Sequence, residues 1–139
     1  MVALGRQMAQ VLADVRLIGF SGDLGAGKTT LVRGLLQALG HEGAVTSPTF
    51  TLVQPYTLGS RSIFHFDLYR LQDPQELEDI GWREYFQPGQ LCLLEWPEKA
   101  QGLLPVADID VMIQKLNTGR RVVLNSQTPA GDAVIAALS

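Results

Sequence analysis

One octet, Gly22-Asp23-Leu24-Gly25-Ala26-Gly27-Lys28-Thr29, constrains this chain more than any other feature. It has the spacing G-x-x-x-x-G-K-T. An apolar, β-prone run, Val15 to Phe20, precedes it, and a helical pattern, Thr30 to Leu39, follows. Strand, glycine loop and helix in that order are the parts of a phosphate-binding loop. Glycines let backbone N–H groups converge on phosphate oxygens where a side chain would clash. The helix N-terminus adds roughly half a positive charge. In this reading Gly22 to Thr29 hold a nucleotide. Lys28 reaches the β- and γ-phosphates, and the Thr29 hydroxyl holds Mg²⁺.

The rest of the chain limits what can be built around that loop. A length of 139 residues predicts one domain, 1–139, with little room for a lid or a separate substrate domain. At 46% hydrophobic and 18% charged residues, the chain can bury a real core. A net charge of −3 and a pI near 5.2 argue against a stand-alone nucleic-acid binder. Lys115, Arg120 and Arg121 read as a solvated turn. Cys92 is the single cysteine, so there is no disulfide framework, and its apolar run predicts burial. No apolar span of membrane length and no signal peptide is apparent, which points to the cytoplasm.

Periodicity places the elements. Residues 2–14 read as an amphipathic helix, and Lys28–Leu39 as a helix ended by Gly40. Phe50–Thr57 and Arg61–Tyr69 read as a hairpin about Leu58-Gly59-Ser60. In its second strand Ile63, His65, Asp67 and Tyr69 share one face, and Phe64, Phe66 and Leu68 the other. Asp73 reads as the N-cap of a helix with Pro74 in its first position. Trp82 and Phe86, four apart, read as packing on a helix face. Leu91–Leu94 is a buried strand. Ala107–Leu116 and Arg121–Asn125 form a second hairpin, and Ala130–Leu138 a terminal helix. The fold class expected is α/β: a P-loop nucleotide hydrolase with a central mixed sheet flanked by helices.

Hydrolysis needs an acid near the metal and a group that orients the nucleophile. Four apolar residues followed by Glu95 fit a Walker B-like strand whose acid lies at the C-terminal end, where α/β sheets bind ligands. Glu95 would contact Mg²⁺ through water or polarise the attacking water. Asp67 is the second candidate, for it sits among aromatics where an idle buried carboxylate would be costly. His65 reads as structural, and His41 as a surface residue. Thr46, Ser47 and Thr49 surround Pro48 in a stiff loop that either contacts the metal and γ-phosphate or is ordinary loop chemistry. Trp96, after Glu95, either stacks on a partner or shapes the site. Arg70 is a weak candidate for an arginine finger.

Four segments in this order, Gly-Asp-Leu-Gly-Ala-Gly-Lys-Thr-Thr (22–30), Ser-Pro-Thr-Phe (47–50), His-Phe-Asp-Leu-Tyr-Arg (65–70) and Leu-Glu-Trp-Pro-Glu (94–98), carry a resemblance. Over roughly residues 4 to 115 the chain resembles the bacterial TsaE (YjeE) family, the ATPases of tRNA threonylcarbamoyladenosine synthesis. The resemblance implies a small ATPase using ATP and Mg²⁺ that binds a TsaD–TsaB heterodimer. Contact with tRNA would be indirect, through those partners, of which TsaD carries out the transfer of threonylcarbamoyl. It implies that Lys28, Thr29 and Thr30 bind phosphate, that Thr29 and Glu95 serve the metal, and that Glu95, Asp67 and Lys28 form the catalytic set. Residues Thr46 to Phe50 and the segment around Asp67 resemble the family's nucleotide-responsive switches. Two other readings of the loop stand beside this one: a small-molecule P-loop kinase, for which no lid segment is evident, and a nucleotide-binding regulator with negligible turnover.

Overall fold

β1 (Leu17–Gly22) is the axis of the molecule. The computed structural model describes all residues except 13, 24, 49, 60 and 101. Leu24 and Thr49, both singled out from the sequence, therefore lie outside the described residues, as does Ser60 of the predicted turn. The Asp108 carboxylate fixes the start of β1, accepting the N–H groups of Arg16 at 2.7 Å and Leu17 at 3.1 Å. Leu17 to Phe20 are all buried, because parallel strands lie on both sides. A strand sandwiched in this way reads as a continuous apolar run.

The remaining strands are β2 (Val53–Leu58), β3 (Arg61–Asp67), β4 (Gln90–Glu95), β5 (Ile109–Lys115) and β6 (Arg120–Ser126). They form one sheet in the order β2-β3-β4-β1-β5-β6. β3, β4, β1 and β5 are parallel, and β2 and β6 pair antiparallel at the edges. The helices are α1 (Val2–Ala9), α2 (Lys28–Ala38), α3 (Gln75–Asp79) and α4 (Pro129–Leu138). The expected α/β architecture, a mixed sheet flanked by helices, is the one observed.

Side-chain alternation divides the core in two. Leu91 and Leu93 of β4 join Ile18, Phe20, Ile63 and the α2 residues Leu31, Val32, Leu35 and Leu36 on one face. Cys92 and Leu94 join Phe66, Leu68, Leu77 and Trp82 on the other. By parity His65, Asp67 and Glu95 belong to the α2 face. Burial pushes the Cys92 thiol up to about 12, so it stays protonated and inert. α1 lies against α2 at van der Waals contact of backbones. A methyl group on Gly34 would come 2.8 Å from Val2 Cα, and one on Gly5 2.6 Å from the Leu35 nitrogen.

Several boundaries differ from the sequence reading. α1 stops at Ala9 rather than continuing to residue 14; Val11 and Leu12 follow in turns, with Leu12 still buried. β1 runs to Gly22, past the apolar run, because Ser21 and Gly22 pair with Met112 and Ile113 of β5. β2 starts at Val53, leaving Phe50 84% exposed. β3 ends at Asp67, since the Tyr69 N–H turns back to Asp67 Oδ1 at 2.9 Å. α3 begins one residue after Pro74, which is its N-cap in place of the expected Asp73; the Asp73 carboxylate accepts the Gln75 N–H just before the helix, and the Glu76 carboxylate accepts the Asp73 N–H. Trp82 and Phe86 do meet, edge to face at 5.6 Å, but on a 3₁₀ turn, Trp82–Tyr85.

Candidate active site at the phosphate-binding loop

β1 ends in the glycine loop, and α2 begins at Lys28 with Gly27 as its N-cap. Gly25 and Gly27 have φ of +77° and +117°, a region that side chains rarely enter. Gly22 is needed for a second reason: a Cβ there would come 2.3 Å from the Ile113 carbonyl oxygen. Gly27 has no side chain to cap the first turn of α2. Its first N–H groups are therefore of the kind an anion completes.

Beside this loop a cleft of about 270 Å³ is lined by Gly25, Gly27, Lys28, Thr29, Thr30, Ser47, Asp67, Tyr69, Glu95 and Trp96. The parallel register brings Asp67 of β3 level with Glu95 of β4, and Glu95 level with Phe20 of β1. Both carboxylates thus stand at the strand ends next to the loop. They are 4% and 2% exposed, and each is bonded. The Thr29 hydroxyl donates to both oxygens of Glu95 at 3.0 Å, and His65 Nε2 lies 2.6 Å from Glu95 Oε2. Asp67 accepts the Ser47 hydroxyl and the Tyr69 N–H.

Lys28 is 5% exposed and donates to the carbonyls of Gly22 at 2.5 Å and Asp23 at 3.0 Å. Its ammonium also sits 3.9 Å from the centre of the Trp96 ring, a cation–π contact. Burial lowers its pKa, an effect opposed by the nearby charges of Glu95, Glu98, Asp67 and Asp23. Trp96 holds a left-handed backbone, φ +60°, and its ring leans on Tyr69 at 5.0 Å. A non-glycine residue in that region is uncommon. Here it turns the indole from the end of β4 back over the loop.

The atoms present suit phosphate and a hard cation. Thr29 donates its proton to Glu95, which leaves its oxygen lone pairs available to a metal. The side-chain hydroxyls and carboxylates that line the cleft, Thr29, Thr30, Ser47, Asp67 and Glu95, offer oxygens, as a hard divalent ion prefers. Among the described residues, no group of three or more His, Cys, Asp or Glu could hold a metal alone. An ion shared between one or two protein oxygens and a bound phosphate fits this pattern.

Most of the residues picked from the sequence converge here: Gly25, Gly27, Lys28, Thr29, Thr30, Asp67 and Glu95 line one cleft. Gly22 and Asp23 contribute carbonyls to Lys28, and Ala26 is buried beneath the loop. Thr46 is exposed and does not line the cleft, whereas Ser47 does. Arg70 is also exposed, with its guanidinium over the Phe50 ring at 4.8 Å, and no arginine lines the cleft among the described residues. His41 is half-buried, edge to face with Tyr56, rather than a bare surface residue.

His65, read as structural, is fully buried and bonded to Glu95. One sequence reading is corrected. Arg120 is not only part of a solvated turn: its Nε donates to the Ala26 carbonyl at 2.9 Å, and Lys115 Nζ stands 3.2 Å from where a Gly25 methyl would be. The β5–β6 pairing, which sets Lys115 opposite Arg120, brings both cations to the loop. The basic residues were visible in the sequence, but only the register gives Lys115 and Arg120 this address.

No helix among the described residues is long and apolar enough to cross a membrane. Comparison with known proteins agrees with the four motifs. The family model described as "Threonylcarbamoyl adenosine biosynthesis protein TsaE" matches residues 1–123. The tRNA threonylcarbamoyladenosine biosynthesis protein TsaE of Haemophilus influenzae is 48% identical over 144 residues, covering 100% of this chain and 91% of that protein. Its namesake from Bacillus subtilis is 37% identical over 107 residues, covering 77% of this chain and 66% of that protein. Among solved structures, Bacillus subtilis YdiB superposes with a TM-score of 0.77 at 26% identity, covering 99% of this chain and 88% of that one. With its P-loop, its mixed sheet and these relatives, the chain belongs to the TsaE family of threonylcarbamoyl adenosine biosynthesis proteins.

Proposed function

We propose that the chain binds ATP with Mg²⁺ in this cleft and hydrolyses it, as the ATPase subunit that serves a TsaD–TsaB pair in tRNA threonylcarbamoyladenosine synthesis. The observation that carries the reading is the bond from the P-loop hydroxyl of Thr29 to a buried carboxylate, Glu95, at the end of the neighbouring parallel strand. A site that only bound phosphate would not need that acid in a place where burial is costly.

In this reading the backbone from Gly22 to Thr30, Leu24 included, cradles the phosphates. Lys28 leaves the Gly22 and Asp23 carbonyls and the Trp96 ring to meet the β- and γ-oxygens. Mg²⁺, held by Thr29 and through water by Glu95, would neutralise charge between those phosphates. Asp67 orients the attacking water and holds its proton, from the level in the sheet that Glu95 shares. With no arginine lining the cleft among the described residues, turnover alone is slow and partners raise it. The net charge of −3 suits a subunit whose partners contact the tRNA. The whole chain acts as one domain in the cytoplasm.

The test is ATP turnover by the purified chain, alone and with TsaD and TsaB, beside a screen of small phosphoacceptors. Slow hydrolysis raised by the partners supports the reading. Phosphate transfer to a small acceptor, or no turnover under any condition, replaces it with a kinase or a silent regulator.

A further inference from the structure

His65 is fully buried on β3, two residues before Asp67 and on the same face of the sheet. It pairs in register with Leu93, so its ring reaches diagonally to Glu95 on β4, where Nε2 lies 2.6 Å from Oε2. An ionised carboxylate only accepts, so the bond requires a proton on Nε2. The other ring nitrogen, Nδ1, is buried with no hydrogen-bond partner among the described residues. A buried polar atom without a partner costs stability, and an apolar side chain at 65 would avoid that cost. What the imidazole gives in return is its one bond to Glu95.

That bond completes the carboxylate. The single Thr29 proton is shared between the two Glu95 oxygens at equal distance, and so does not select one orientation of the group. His65 contacts Oε2 alone and breaks the symmetry. Without it, Glu95 would be free to turn toward Lys28, whose charged form it favours.

We propose that His65 is a positioning residue: its buried Nε2–H fixes the Glu95 carboxylate so that Thr29 presents its oxygen lone pairs to the cation during hydrolysis. The proposal rests on the ATPase reading above. It does not concern nucleotide affinity as such, because the phosphate cradle is made by Lys28 and backbone N–H groups. Groups that support a metal site from behind its ligands typically change metal affinity or activity about 10–100-fold when removed.

The test compares wild type, His65→Leu, His65→Gln and Glu95→Ala. It reads kcat, KM for ATP, the Mg²⁺ concentration for half-maximal turnover, the affinity for a fluorescent ATP analogue in EDTA, and thermal stability. The Gln amide can place an N–H near the position of Nε2. His65→Leu is expected to lower kcat about 10–100-fold and raise the Mg²⁺ requirement, with analogue affinity in EDTA unchanged. His65→Gln is expected to recover most of both losses. Wild-type kcat and Mg²⁺ dependence in His65→Leu, beside an inactive Glu95→Ala, would overturn the inference and leave the ATPase reading standing. So would a His65→Gln protein as impaired as His65→Leu, with kcat falling only in proportion to lost stability. Full turnover in Glu95→Ala would take Glu95 out of the chemistry and this inference with it while hydrolysis itself stood, and no turnover in the wild type would remove the ATPase reading as well.

Discussion

The two flanks of the phosphate-binding loop are built from opposite chemistry. On the β3–β4 side stand Asp67, Glu95 and His65, almost wholly buried, with His65 bonded to Glu95, Glu95 also to Thr29, and Asp67 to Ser47. On the β5–β6 side stand Lys115 and Arg120, exposed cations, the first beside Gly25 and the second bonded to the Ala26 carbonyl. Buried charge in a small protein must be held by partners, so the acidic flank is rigid and its geometry specific. Exposed cations contribute little through any one contact and serve mainly as local positive field. The comparison teaches where chemistry and where mere attraction should be sought: the proposed function assigns the rate to the acidic flank and leaves the basic flank to tune binding.

The largest expected effect is on the loop between the flanks. Lys28→Ala should weaken a fluorescent ATP analogue by about 100-fold or more, the scale for losing a preorganised contact to phosphate charge. Affinity within a few-fold of wild type would detach the loop from nucleotide binding. Next, Asp67→Asn should cut ATP turnover by about 10–100-fold while analogue affinity holds. If affinity fell and turnover per bound nucleotide did not, the acidic flank would be a binding element, and the contrast would collapse.

A change remote from both flanks sharpens the point. Gly34→Ala puts a methyl group 2.8 Å from Val2, and should cost about 1–3 kcal/mol in urea unfolding, the range for overpacking. Turnover per folded molecule should hold. The smallest effect belongs to the basic flank. Arg120→Ala removes the bond to Ala26 and should weaken analogue binding only a few-fold, as a bond worth about 1 kcal/mol implies. A loss as large as that of Lys28→Ala would make the two flanks equals.

The acidic flank was legible in the sequence for local reasons. The loop is contiguous, Glu95 closes an apolar run, and Asp67 stands out by alternation within one strand. His65 was visible as a residue but not as a partner of Glu95, because their meeting depends on the β3–β4 register. Arg120 needed two registers, β5 on β1 and β6 on β5, before it could be placed at Ala26. Element ends failed where side chains, rather than periodicity, decide them. Asp67 captures the Tyr69 N–H and ends β3, and Leu12 keeps the apolar period of α1 beyond the helix itself.

The central claim is that Glu95, gripped by Thr29, makes this cleft hydrolyse ATP rather than merely hold it. Its most direct test is ATP turnover by wild type and Glu95→Ala, alone and with TsaD and TsaB, with analogue affinity measured on the same samples. The account predicts slow turnover that rises with the partners, collapses in Glu95→Ala, and leaves affinity largely intact. Equal turnover in the two proteins, with or without partners, would contradict it.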